Sequence, residues 1–224
     1  MLYDFHTHSS LSDGSLSPME LIWRSLSNGY KAVAITDHAG IGYLDRIIRE
    51  VAADCALARQ KWPIQAIPGV ELTYVPPDAI HEAAKRAKEL GAWLVVVHGE
   101  TIVEPVEKGT NEAALTCPYV DILAHPGLIT KEEAQLAASN GVFLEISARK
   151  GHSLTNGQVA RLAQENGAKL LLNSDAHDPA DILTPDLASR IILGAGIDQA
   201  ECDEILTKNP QDFIETILQK NLPK

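Results

Sequence analysis

The chain has 224 residues, with 30 acidic against 19 basic side chains and a formal net charge of −11. That balance excludes a broad nucleic-acid or anionic-membrane footprint, which needs clustered Lys and Arg, but a few cationic groups or bound ions in one cleft still permit a small phosphorylated substrate. Cys55, Cys117 and Cys202 are odd in number and far apart, which argues against a disulfide framework or a CxxC metal knuckle; with no leader-like start and no apolar run near ~20 residues, a soluble cytoplasmic chain forming one domain over residues 1–224 is expected.

Seven short apolar runs follow in order: Leu2 to Phe5, Ala32 to Ile35, Ile64 to Val70, Trp93 to Val97, Val120 to Ala124, Val142 to Ile146 and Leu170 to Leu172. They are continuous rather than alternating, as strands buried on both faces of a parallel sheet are. Amphipathic segments with readable caps separate them. "SPME" offers Ser17 as N-cap with Pro18 at the first helical position, and "TKEE" offers a capping box of Thr130 and Glu133. Gly29, Gly91, Gly141 and Gly167 stand where helices should stop. Alternating strands and helices imply parallel strands with right-handed crossovers. Seven such units point to a small barrel, with an open doubly wound sheet as the alternative that periodicity does not separate. Beyond the seventh run the chain turns helical, and a C-terminal helix is expected to open at Asn209 and Pro210.

The metal-capable side chains sit at matching places. His6 and His8 follow the first run, Asp37 and His38 the second, Glu71 ends the third, His98 follows the fourth, His125 the fifth, and Asp175 with His177 the seventh. All lie at the C-terminal ends of their runs, the face on which α/β barrels and open sheets carry their sites. A lone histidine there is usually a hydrogen-bonded loop residue. Six of the eight histidines, however, share this end of five different runs, which is the pattern of a site. The i, i+2 spacing of His6 with His8, and of Asp175 with His177, presents two side chains to one side of an extended segment. Imidazoles combined with carboxylates suit zinc, manganese or iron.

Taken together and in order, "DFHTHSSLSDGSLSP", "AITDHAG", "GVELTY", "VVVHGE", "ILAHPG" and "NSDAHD" resemble the motifs of the PHP (polymerase and histidinol phosphatase) family of metal-dependent phosphoesterases, over Asp4 to about Asp178. The resemblance implies an α/β fold, a distorted seven-stranded (β/α)7 TIM-like barrel with a helical C-terminal extension. It also implies a trinuclear site of two to three divalent transition metal ions, where a metal-bound hydroxide attacks phosphorus. His6, His8, Glu71 and Asp175 would hold one ion, with Glu71 bridging. Asp13, His38 and His177 would hold a second, and His98 with His125 a third, so that all nine act in catalysis through the bound metals. Asp13 lies in Ser-Asp-Gly, equally a plain turn. Asp37 either orients a neighbouring ligand or caps the next helix.

The sixth run ends without a ligand, but Arg149, Lys150 and His152 follow it. A basic cluster on the active face of an acidic chain is expected to grip the non-reacting oxygens of a phosphate, Arg149 bidentately. Glu145 points into the barrel mouth or bonds to backbone, and Gly99 to Asn111 is a lid or a plain surface loop. The expected activity is that of a phosphomonoesterase of the histidinol-phosphatase type. A nuclease or phosphodiesterase is less favoured, because no basic groove or aromatic stripe is visible. Two other classes fare worse. An amidohydrolase would carry a carboxylated Lys where His98 stands, and a non-catalytic metal-binding scaffold subunit would have lost ligands that are all present here. Oligomeric state is not legible.

Overall fold

In the computed structural model, which describes residues 2–221, all seven apolar runs are strands of one parallel sheet. The chain order is β1 (Leu2–Asp4), α1 (Pro18–Ser27), β2 (Tyr30–Ile35), a two-residue β3 (His38–Ala39), α2 (Leu44–Lys61), β4 (Gln65–Leu72) and α3 (Ile80–Glu89). It continues through β5 (Leu94–His98), α4 (Thr110–Thr116), β6 (Ile122–Ala124), α5 (Lys131–Asn140), β7 (Phe143–Ser147), α6 (Asn156–Asn166) and β8 (Leu170–Asn173). Three helices complete it: α7 (Pro185–Gly194), α8 (Gln199–Asp203) and α9 (Asn209–Asn221).

Sheet order is β1-β2-β4-β5-β6-β7-β8, with β3 paired to β4 beside it. The two end strands meet. Thr7 forms a parallel bridge with Ala176, the Asp175 N–H donates to the His6 carbonyl at 2.9 Å, and the His8 N–H donates to that of Ala176 at 2.8 Å. Below them the Phe5 N–H donates to the Asn173 side chain at 2.9 Å. This seam makes the sheet a nearly closed barrel and rules out the open doubly wound alternative.

The continuous apolar runs now have a cause. Ala32, Ala34, Leu94 and Val96 point into the barrel, whereas their neighbours Val33, Ile35, Val95 and Val97 pack outward with Ile47, Ile48 and Val51 of α2 and the other helices. The N-terminal end of the barrel is plugged by α9, whose Phe213, Ile214 and Ile217 join Phe5, Leu94, Ile122, Phe143 and Leu171 in one inner cluster. Phe213 meets the rings of Phe5 and Phe143 at centroid distances of 4.8 Å each. With that end filled, the interior is open to ligands only at the C-terminal ends of the strands.

Ser17 accepts the Glu20 N–H, and Thr130 and Glu133 form the reciprocal capping box. The final helix, α9, begins at Asn209 as expected, but helical backbone already precedes it. Helical backbone begins at Gln199, capped by Asp198, and runs through α8 and a π-helical turn over Glu204–Lys208 into α9. Pro210 lies inside this run, has no N–H, and would drive its ring into a preceding carbonyl; the widened turn makes room for it. Asn209 is buried and donates its side-chain N–H to the Leu170 carbonyl at 3.0 Å, so it ties α9 to β8 instead of capping a helix. Among the described residues no helix is long and apolar enough to cross a membrane.

Phe213→Ala should cost about 3–5 kcal/mol, because it empties the plug. Urea unfolding will read this as a lower midpoint, and a loss below about 1 kcal/mol would show that the barrel does not depend on it.

Candidate metal centre

Past β1 the chain remains extended, so Thr7 turns outward to donate its hydroxyl to the Ala34 carbonyl while His6 and His8 turn inward. Their Nε2 atoms stand 3.0 Å apart. Glu71, at the end of β4, lies beneath them with Oε1 3.4 Å from His6 Nε2 and 3.5 Å from His125 Nε2. Its other oxygen lies 2.6 Å from Nδ1 of His38. From the far side of the seam Asp175 brings Oδ1 to 3.2 Å from His8 Nε2, and His177 Nε2 lies 3.2 Å from Asp13 Oδ1. His38 Nε2 is 3.6 Å from the same Asp13 oxygen. His98 and His125, at the ends of β5 and β6, have ring centroids 4.4 Å apart. All nine residues expected as ligands are therefore gathered at one end of the barrel.

Their donor atoms fall into overlapping sets in which every ligand atom lies within 4.8 Å of the others: His8, Asp13, His38 and His177; His6, His8 and Asp175; His6, Glu71 and His125; His98, His125 and His152. Within them, buried Glu71 Oε1, His8 Nδ1 and His125 Nδ1 have no hydrogen-bond partner. A buried carboxylate oxygen flanked by imidazole nitrogens, with no donor to satisfy it, is an oxygen suited to a cation. The donor set of imidazole nitrogens and carboxylate oxygens fits zinc, manganese or iron.

Supporting residues hold the rings. Nδ1 of His6 lies 2.8 Å from Glu145 Oε2, which also accepts from Asn173 Nδ2 at 3.0 Å. Nδ1 of His98 faces the Gly99 carbonyl at 3.2 Å. An N–H donated from Nδ1 leaves Nε2 with its lone pair directed inward, the arrangement of metal-binding histidines. Asp37 neither caps the next helix nor bonds to the adjacent His38. It accepts from the Ser9 N–H and hydroxyl, both at 2.7 Å, and from the Ser12 hydroxyl at 2.6 Å, and so braces the turn that carries Asp13. Gly14 completes that turn; a Cβ there would sit 2.2 Å from the His8 carbonyl oxygen.

Charge in the site is far from its solution state. Burial lowers the His6 imidazole, yet Glu145, Glu71 and Asp175 outweigh it and hold His6 well above its ordinary range. His38 and His125 are raised in the same way, against burial, chiefly by Glu71. His8 is held well below by burial and by the neighbouring His38. Burial would raise Glu71, but His6 and His38 hold it well below the carboxylate range; Glu145 is similarly brought to about 2, mainly by His6. For Asp175 burial wins, and it is pushed up to about 6. Carboxylates buried here draw positive charge to the centre of the cluster.

The opening is a cavity of about 390 Å³ lined in part by Asp13, Tyr43, Tyr74, Glu104, Arg149 and His152. Arg149 faces it, with Nη1 3.2 Å from the Asp175 carbonyl and 2.7 Å from His177 Nδ1. His152 is buried, with Nδ1 2.7 Å from the Thr101 hydroxyl. Lys150 is exposed and outside the lining, apart from the other two. Two residues emerge that the sequence left unassigned. Glu145 had a signal, a carboxylate inside an apolar strand; Glu104, 2.8 Å from His98 Nε2, had none. Among the described residues, the three non-glycine residues with positive φ all sit at this end: Tyr74 (53°), His125 (27°) and Asp175 (52°).

The PHP domain profile matches residues 4–140, a span that holds His6 through His125 and stops short of Asp175 and His177. An uncharacterized protein of Methanocaldococcus jannaschii is 45% identical over 97% of this chain and 100% of its own length. A protein of Acetivibrio thermocellus named a probable phosphatase is 26% identical over 97% of this chain and 95% of its own. Among solved structures, a chain from the work on YwqE of Bacillus subtilis and CpsB of Streptococcus pneumoniae, described as unique metal-dependent tyrosine phosphatases, superposes with a TM-score of 0.62 at 13% identity, covering 96% of this chain and 94% of that one. At that identity the likeness is one of fold.

Replacing Glu145 by Gln removes the largest charge acting on His6. In ion-free protein the NMR titration of His6 should move to lower pH, and affinity for divalent ions should fall about 10- to 100-fold; an unmoved titration would show that Glu145 does not set the state of His6.

Proposed function

The chain belongs to the PHP domain family and is a metal-dependent phosphoesterase, and from that premise we propose that it hydrolyses a small phosphomonoester, of the histidinol-phosphate type, at a centre of two to three divalent ions. The observation that carries this reading is the convergence of nine histidine and carboxylate side chains at one end of the barrel, six of them lining a small cavity together with the Arg149 guanidinium. Zinc, manganese and iron all suit the donors.

In this reading His6, His8, Glu71 and Asp175 hold one ion, Asp13, His38 and His177 a second, and His98 and His125 a third, with Glu71 shared. Ions held there would supply Lewis acidity toward the phosphoryl oxygens and make water a nucleophile near neutral pH. The protein's own residues do the rest. Asp13, Glu71, Glu104, Glu145 and Asp175 face Arg149 at this end of the barrel, and in the ion-free site protons on the raised His6, His38 and His125 offset part of their charge; divalent ions that displace those protons would carry more positive charge to the same place and favour a phosphate dianion. Arg149 donates to the non-reacting phosphoryl oxygens. When its Nη1 turns from His177 Nδ1 to the phosphate, that nitrogen is free to carry a proton and donate it to the Asp175 carbonyl 2.9 Å away, which leaves His177 Nε2 as the inward donor atom. Tyr43 and Tyr74, both largely exposed, offer ring faces at the rim to a small flat or cationic leaving group.

The test is to strip the protein with a chelator, reload it with zinc, manganese or iron(II), and assay phosphomonoesters, phosphodiesters, oligonucleotides and N-acyl amides. Phosphomonoester turnover that appears only on reloading and falls about 100-fold or more in His38→Ala and His177→Ala is expected. Preferential cleavage of oligonucleotide ends would replace this reading with the nuclease, and bound metal with no hydrolysis would replace it with a scaffold subunit.

The pH dependence has a definite sign. His6, His38 and His125 are raised in the ion-free site, so protons are favoured there at low pH and an ion must displace them. Affinity and activity should both rise with pH, and because these imidazoles are raised, the loss should begin above the ordinary histidine value of about 6.5 and deepen below it. A flat profile with metal retained to about pH 5 would contradict this.

A further inference from the structure

Residues 99–109 join β5 to α4, and Glu104 of this loop lines the cavity. The base of this loop is firmly tied. The Glu100 N–H donates to Asn111 Oδ1 at 3.0 Å, Glu100 Oε1 accepts from the Gly109 N–H at 2.9 Å, and Asn111 Nδ2 donates to the Pro126 carbonyl at 2.9 Å. Gly127 presses from below, where a Cβ would sit 1.9 Å from the Glu100 carbonyl oxygen. The crest is different: Ile102, Val103, Pro105, Glu107 and Lys108 are exposed. Two side chains of the loop turn inward, and both reach histidines. Glu104 Oε2 lies 2.8 Å from His98 Nε2 with Oε1 3.7 Å from His152 Nε2, and the Thr101 hydroxyl lies 2.7 Å from His152 Nδ1.

These contacts single out one position. His98, His125 and His152 bring ligand nitrogens within 4.8 Å of one another, and all three rings are buried. The His125 and His152 rings stack at 4.1 Å, and His98 stands nearly perpendicular to His152 at 6.1 Å. On His98 and on His152 the outer nitrogen is engaged, by the Gly99 carbonyl and the Thr101 hydroxyl, so that Nε2 faces the gap on both. Glu104 spans those two Nε2 atoms. Three imidazoles and a carboxylate around one point make a complete four-coordinate donor set.

We propose that Glu104 and His152 join His98 and His125 as ligands of one divalent ion, so that the 99–109 loop is itself ligated and its closure over the cavity depends on that ion. This rests on the metal-centre reading above and deepens it: His152 serves the ion and not the phosphate, and the mouth of the site is set by metal occupancy. The remaining positions, built from His6, His8, Asp13, His38, Glu71, Asp175 and His177, involve no residue of the loop.

Metal stoichiometry by mass spectrometry and amide hydrogen exchange over residues 100–109 test it, on wild-type protein and on Glu104→Ala, Glu104→Gln and His152→Ala, with Glu107→Ala as a loop control. In wild type, zinc or manganese should slow exchange in the loop. Both Glu104 variants and His152→Ala should hold one ion about tenfold or more weaker and retain the others; in the Glu104 variants exchange in the loop should no longer respond to metal. Glu107→Ala should match wild type. Wild-type protein that binds no divalent ion overturns the metal-centre reading and this assignment with it. Wild-type protein that binds its ions, with Glu104→Ala showing the same stoichiometry and the same metal-dependent slowing, overturns the loop assignment alone.

Discussion

Glu71 is the residue around which the rest of the site is arranged. It is wholly buried at the end of a central strand, within reach of His6, His8, His38 and His125, and one of its oxygens has no hydrogen-bond partner. Burying an ionised carboxylate costs on the order of several kcal/mol unless positive charge accompanies it. Four imidazoles from three separate segments satisfy that demand only in part, and Glu145 and Asp175 increase it. The barrel thus concentrates negative potential where its strand ends converge, and this is the physical reason for its histidines to lie there.

The cluster also carries backbone strain. His125 and Asp175 hold positive φ, at about 1–3 kcal/mol each, and His125 does so immediately before Pro126, which further restricts it. Such strain persists only where the surroundings overdetermine it. For Asp175 the surroundings are the seam, where its N–H bonds to the His6 carbonyl; for His125 they are Gly99 and Gly127, which let the β5 and β6 loops pack backbone to backbone. An apolar plug of α9 at one end and a polar, strained cluster at the other divide stability from chemistry along the barrel axis.

Much of this was legible in the sequence because two kinds of signal were local. Strands buried on both faces read as unbroken apolar runs, and HxH or DxH at a strand end reads as two side chains turned into one cluster. The misses were long-range or geometric. Asp37 looked like a neighbour to His38, but its partners are Ser9 and Ser12, brought to it by the pairing of the first two strands. Asn209-Pro210 does mark the start of α9, but the helical backbone that runs into it through a π turn, which has no local code, was not legible. Glu104 lies in a polar loop where any acid is unremarkable, and only the fold brings it to His98. Barrel closure itself was carried by no single stretch, since it depends on β1 and β8 meeting.

That meeting ties folding to function. His6 and His8 come from the first strand and Asp175 and His177 from the last, so the donor sets that unite them exist only when the seam is closed. Few bonds hold the seam itself: one bridge and a handful of N–H donations among residues 4–8 and 173–176. An ion bound by residues from both sides binds the closed barrel and not the open chain, and by mass action it stabilises the closed form in proportion to the logarithm of its concentration above its dissociation constant. On the proposed reading an ion at this centre would be a clasp on the barrel as well as its chemistry, and the strained φ of Asp175, held already by the seam's backbone bonds, would be held from a second direction through its carboxylate.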